Sequence, residues 1–108
     1  MDVKTLMDTL ELRLLCGEDL SGEITGCYCG DLLSWVMSRA QEGDVWLTVM
    51  GNINSIGVAV LAEVACIVLT ENAALDADAL KRAEQNGVVI LQTEKNTYQM
   101  AAAISKLI

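Results

Sequence analysis

The chain has 108 residues, 53% hydrophobic and 20% charged, with a formal net charge of -8. That length suits one domain with a real core, and the acidic balance argues against nucleic-acid phosphate or an anionic membrane surface as the main partner. It leaves room for a small phosphate ligand held by backbone N–H groups.

The opening segment, Asp2–Leu10, spaces Val3, Leu6, Met7 and Leu10 as one face of a short helix. Leu12–Cys16 predicts a first strand, Gly17–Gly22 a polar turn, and Ile24–Cys29 a second strand that Gly30 ends. Asp31 is placed to N-cap the next helix, its carboxylate accepting from an orphan backbone N–H. The inward stripe of that helix is expected to be Leu32, Leu33, Val36, Met37 and Ala40, with Ser34, Ser38, Arg39 and Gln41 outward and Gly43 as the stop. Val45–Met50 reads as a buried strand, broken at Gly51-Asn52. Ile56–Val64, capped by Asn54 or Ser55, is apolar nearly all round, which predicts a helix covered on both sides, one of them a candidate for a partner subunit.

Ala65–Leu69 predicts the next strand, ending at Thr70-Glu71-Asn72. Asp76–Gly87 reads as a surface helix with acidic residues first and basic ones later, as the helix dipole favours. Val88–Leu91 is a short final strand, and Asn96-Thr-Tyr-Gln99 has the spacing of a capping box. It opens a last helix with Tyr98, Ala101, Ala102, Ser105 and Ile108 on one face. Helices alternating with strands predict a single α/β domain over 1–108, with a mostly parallel sheet of about five strands flanked by helices.

Open α/β sheets place ligands in the loops after the carboxyl ends of their strands. Three such places carry polar or glycine residues: Gly30-Asp31, Gly51-Asn52 with Asn54, and Thr70-Glu71-Asn72. Gly51 permits close backbone approach, and the two amides offer donors and acceptors to a base, ribose or phosphate. Against this, Asp31 is sufficiently explained as a cap, and one of the two Asn residues is needed as one. Neither G-x-x-x-x-G-K-[ST] nor G-x-G-x-x-G occurs, and Gly26-x-x-x-Gly30 is only a spacing.

Histidine is absent, which removes the usual acid/base and half of the usual metal ligands. Lys4, Lys81, Lys95 and Lys106 fall in polar stretches, and only Glu63 and Glu71 adjoin apolar runs, so catalysis is not supported and no cofactor is expected. Cys16 and Cys66 sit in apolar strand-like runs, as small hydrophobes do. Cys27 and Cys29, two apart on a strand, project to the same side and are weak candidates for a soft metal or redox chemistry, since two thiolates do not complete a tetrahedral site. No basic start, apolar h-region or cleavage site opens the chain, no run is suited to span a membrane, and the expected location is cytoplasmic.

The blocks G-C-Y-C-G-D-L-L-S-W-V-M-S-R-A, G-D-V-W-L-T-V-M-G-N-I-N-S-I-G, A-L-K-R-A-E-Q-N-G-V-V-I-L-Q-T and T-Y-Q-M-A-A-A-I resemble the DRTGG domain family from about Leu12 onward, without the eponymous D-R-T-G-G string. The resemblance implies a fold similar to the N-terminal domain of HPr kinase/phosphorylase. It also implies a regulatory, often dimeric module without catalysis of its own. Such domains occur inside pyrophosphatases with CBS domains, beside phosphotransacetylase domains, and alone, encoded near iron-only hydrogenase-like proteins and serine kinases. The expectation is therefore a homodimeric sensing module that binds a small nucleotide-like ligand or a protein partner through Gly30, Asp31, Gly51, Asn52, Asn54, Thr70, Glu71 and Asn72. The alternative is a redox or iron-linked accessory protein using Cys27 and Cys29. A small acyl- or phosphoryl-transfer enzyme ranks last.

Overall fold

Five short runs become strands: β1 (Arg13–Cys16), β2 (Gly26–Cys29), β3 (Asp44–Thr48), β4 (Cys66–Leu69) and β5 (Ile90–Gln92). Of these, β3, β4 and β5 are buried between two helical layers, while β1 and β2 form the edges. The computed structural model describes residues 1–108. The strands form one sheet in the order β1-β5-β4-β3-β2. β2 to β5 are mutually parallel and β1 alone runs antiparallel, against β5. The sheet is therefore mixed and mostly parallel, as the alternation of elements predicts.

Chain order and sheet order coincide from β2 to β5. Right-handed crossovers that always step in the same direction put all their helices on one face. Those helices are α2 (Leu33–Arg39), α3 (Ile53–Ala62) and α4 (Ala77–Asn86). They close over Trp46, Ile67, Leu69 and Ile90 with Val36, Ile56, Val58, Ala79 and Ala83. The opposite face is covered by α1 (Val3–Thr9) and α5 (Thr97–Ser105). There Val3, Leu6, Met100 and Ile104 pack on Val45, Leu47, Val68 and Leu91. The fully buried β3 and β4 carry side chains for both cores, which is why they read as continuous apolar runs rather than alternating ones.

Several local expectations are corrected. Asp31 does not cap α2: the N-cap position belongs to Leu32, which makes no side-chain bond. The Asp31 carboxylate instead accepts from Thr48 Oγ1 at 2.7 Å and Val49 N at 3.0 Å, because β3 ends beside it. α3 starts earlier than its apolar run, at Ile53, and its cap is Asn52, whose side chain accepts from Ser55 N at 3.0 Å, not Asn54 or Ser55. Within α2 only Val36 is buried, while Leu32 and Met37 of the expected inward stripe are exposed. In α5 the buried residues are Met100 and Ile104, and the face with Tyr98 and Ile108 looks outward, because Met100 and Ile104 carry the larger volume to the core. The Asn96/Gln99 capping box is present as its spacing predicts. No helix is long and apolar enough to cross a membrane.

Candidate functional site

All three suspected loops lie at the carboxyl edge of the sheet, but local bonding separates them. The first loop spends its polar group on β3 through Asp31, as above. In the second, Asn52 caps α3, and Ser55 Oγ donates to the Met50 carbonyl at 2.6 Å. Gly51 accepts from Asp76 N at 2.8 Å, and a Cβ there would collide with the Ala74 carbonyl. Glycine at 51 thus lets the β3–α3 loop lie directly against the β4–α4 loop. Asn54, one turn into α3, is exposed on a different surface, beside Leu33, Met37, Gly57, Leu61 and Arg82.

The third loop is different, because the helices that follow its strand and the neighbouring β5 lie on opposite faces of the sheet. The chain leaves β4 toward the α4 face and leaves β5 toward the α5 face, the arrangement that opens a crevice in doubly wound sheets. Here the two loops are laced together. Glu71 N donates to Lys95 O and Asn72 N to Thr93 O, both at 2.8 Å. The buried Thr70 hydroxyl meets that of Thr97 at 2.8 Å, and Gln92 Nε2 donates to Ala73 O at 2.9 Å. Glu71 and Asn72 hold φ of 57° and 54°, closing a turn in which Ala73 N donates to Thr70 O at 3.0 Å. Two consecutive left-handed residues without glycine cost on the order of 1 kcal/mol or more each, and such strain concentrates at functional positions.

Beside this lacing, where the start of the antiparallel β1 meets the end of β5, opens a cavity of about 370 Å³. Its walls are mostly polar, and its side chains include Arg13, Asn72, Gln92, Thr93 and Lys95. Arg13 reaches it because β1 runs backwards, so the start of that strand pairs with the end of β5, Arg13 opposite Gln92. Arg13 Nη1 donates to Gln92 Oε1 at 2.8 Å, which orients the guanidinium. Glu11, another left-handed residue (φ 55°), and Glu94 line the same cavity. The chain's ion pairs are Met1–Glu23 and Lys4–Asp8, so neither Arg13 nor Lys95 is held in a direct ion pair, although Glu11 and Glu94 share their cavity. Two unpaired cations with amide and hydroxyl groups at one strand edge form a setting for a small anion.

Of the expected ligand residues, Asn72 alone lines this cavity; Thr70 and Glu71, in the same turn, do not line it, and Gly30, Asp31, Gly51, Asn52 and Asn54 lie outside it. Arg13, Gln92 and Lys95 escape a reading by loops, since a strand that pairs antiparallel is not legible from its own residues. The one signal was a lone cation in the apolar run L-R-L-L-C.

The thiols occupy the opposite edge strand. Cys27 and Cys29 are exposed on β2, while Cys16 and Cys66 are buried. A hydrogen bond from the Cys27 thiol favours the Cys29 thiolate, bringing its pKa down to about 7, and the same contact raises Cys27. No group of three His, Cys, Asp or Glu side chains gathers as a metal site.

The family model described as the DRTGG domain matches residues 5–107. No curated protein sequence matches the chain. Among solved structures, the CBS and DRTGG domains of the regulatory region of Clostridium perfringens pyrophosphatase, complexed with the activator diadenosine tetraphosphate, superpose with a TM-score of 0.71. The identity is 12% over 94% of this chain, and the match spans 45% of that chain, less than half its length.

Proposed function

This chain belongs to the DRTGG domain family, a family of regulatory domains, and from that premise we propose that it is a non-catalytic, homodimeric sensing module of the cytoplasm that binds an adenine-nucleotide-like anion. The observation that carries the reading is the pair of cations outside any ion pair, Arg13 and Lys95, lining a polar cavity at the strained β4 and β5 loops of a chain with net charge -8. In this reading the polyphosphate lies on Arg13 and Lys95, and Asn72 and Gln92 meet its polar edge. The pyrophosphatase regulatory region, whose DRTGG-containing fold this chain shares, is complexed with a dinucleoside polyphosphate, which supports the ligand class.

The proposed dimer uses the outer side of α2 and α3. Leu32, Trp35, Met37, Val60 and Leu61 are all exposed there, with Leu61 at 69%. The cavity of about 440 Å³ between the two helices is lined without a carboxylate and with Arg82. On an acidic chain this is where two copies meet with least repulsion.

The test is a thermal-shift titration with adenine mononucleotides and diadenosine polyphosphates. A ligand at about a hundred times its dissociation constant adds roughly 2.7 kcal/mol. A dose-dependent rise in Tm that Arg13→Ala removes supports the site; a flat response across the panel overturns the nucleotide reading. A second reading rests on one observation, the exposed Cys27/Cys29 pair with Cys29 brought to about pKa 7. It makes the module a thiol-dependent accessory of an iron–sulfur system, working with a hydrogenase-like protein or a serine kinase. Unchanged partner binding by Cys27→Ser/Cys29→Ser counts against it.

A further inference from the structure

β1 is an edge strand: its single neighbour is β5, and its other side is unpaired. Beside it lies a groove of about 710 Å³, formed where β1 and the chain after it face α4. Its apolar wall comes from Leu14, Leu15 and Leu80, of which Leu14 is 41% exposed. Its acidic wall comes from Glu18, Asp19 and Glu84. None of the three carboxylates has a cation within ion-pair distance. Asp19 is further held as the carboxylate by the Ser21 N–H and hydroxyl, which keep its pKa below the ordinary value. Gly17 turns the chain out of β1 with φ +123°, and a Cβ there would press into Val89, so the acidic segment stays tucked beside the strand.

We propose that this groove receives an extended segment of a partner protein that carries apolar and basic residues and adds to the sheet beside β1. The exposed edge supplies main-chain donors and acceptors, the usual source of affinity in strand addition. Alternate side chains of an added strand face opposite ways, so the set on the α4 side enters the groove, where Leu15, Leu80 and Glu84 stand together. Charge selects the occupant: a second copy brings another net -8 to an already acidic wall, whereas a basic segment neutralises it. The groove is lined by none of the residues of the proposed anion cavity, so a module of this form carries two separate sites, one for a small anion and one for a basic strand.

The experiment titrates the full chain with a fluorescent alternating Lys-Val peptide of about eight residues, an ordinary strand length. Two comparison peptides have the same composition in blocks, or N-methyl groups on alternate amides. The expected result is a Kd on the order of 10–100 μM for the alternating peptide, with at least about tenfold weaker binding by the N-methylated one. Glu18→Lys/Glu84→Lys, at two exposed positions, is expected to weaken the alternating peptide by about tenfold or more while leaving Tm in place. Newly protected amides at Arg13–Cys16 by hydrogen exchange locate the added strand. Equal binding of all three peptides, or no effect of the charge reversal, overturns the proposal. So does a change in oligomeric state in that variant with unchanged peptide affinity, which assigns the groove to a second copy. None of these outcomes bears on the nucleotide titration.

Discussion

The guanidinium of Arg13 donates to the side-chain oxygen of Gln92 at 2.8 Å, joining residues 79 positions apart across the antiparallel edge of an otherwise parallel sheet. Gln92 in turn donates to the Ala73 carbonyl at 2.9 Å. One buried amide therefore ties the cation of β1 to the strained turn after β4, so the position of the charge and the shape of the loop are set together.

Arg13→Ala and Lys95→Ala are each expected to lower affinity for a polyphosphate by about tenfold or more, with little loss of stability, because both side chains sit at the surface of the cavity. Gln92→Leu is expected to weaken binding and also to cost about 1–3 kcal/mol, since the Ala73 carbonyl loses its partner. Nucleotide titration alongside urea unfolding separates the two effects.

On the α2–α3 face, Leu61→Glu is expected to give a monomer with unchanged or slightly higher stability, because Leu61 is 69% exposed and makes little of the core. Trp35→Ala acts in the same direction but also removes the Arg39 guanidinium's partner, stacked 3.7 Å from the ring centroid. Light scattering of the wild type at tens of micromolar (an order set by ordinary module affinities) is the check: a monomer there ends the dimer reading.

Asn52→Ala is expected to cost about 1 kcal/mol through the lost cap on α3, and to leave the nucleotide response intact. Gly51→Ala is expected to cost more, because the Ala74 carbonyl occupies the space the methyl group needs. Denaturant melts measure both, and a lost nucleotide response in Asn52→Ala would move the ligand site to the β3–α3 loop.

Alkylation by iodoacetamide is expected to strike Cys29 first, with a midpoint near the pKa of about 7. Cys27→Ala removes the thiol that donates to Cys29, so that midpoint is expected to rise toward the ordinary thiol value. Peptide mass mapping across a pH series reads the order of modification.

Burial pushes the Cys66 thiol up to about 12, from 9.0 for a free thiol. A group whose folded pKa is raised contributes stability that is complete below the unfolded pKa and lost as pH climbs to the folded one. Above pH 9 the unfolded chain gives up this proton while the native chain keeps it, so stability is expected to fall between about pH 9 and 12. Cys66→Ala is expected to be less stable at pH 7, through the lost sulfur, yet to show a shallower fall over that window. Thermal melts of both proteins across the window test the sign.

Much of the fold was legible in the residues because burial on two sides leaves a local signature. The runs around Trp46 and Ile67 had to be interior strands, the Asn96/Gln99 box had to open a helix, and the alternation of elements had to give a mostly parallel α/β sheet. Caps were less legible: Asp31, Asn52 and Asn54 are all competent, and only the point where β3 ends decided that Asn52 caps α3 while Asp31 bonds Thr48. The candidate site was least legible. Asn72 was visible as a loop residue, but Arg13 and Lys95 join it only because β1 pairs backwards with β5 and the loops after β4 and β5 depart to opposite faces. Periodicity and capping are short-range properties of one segment, and composition fixes them locally. Strand order and direction are collective choices among segments far apart in the chain, and those choices brought two cations and a strained turn to one edge.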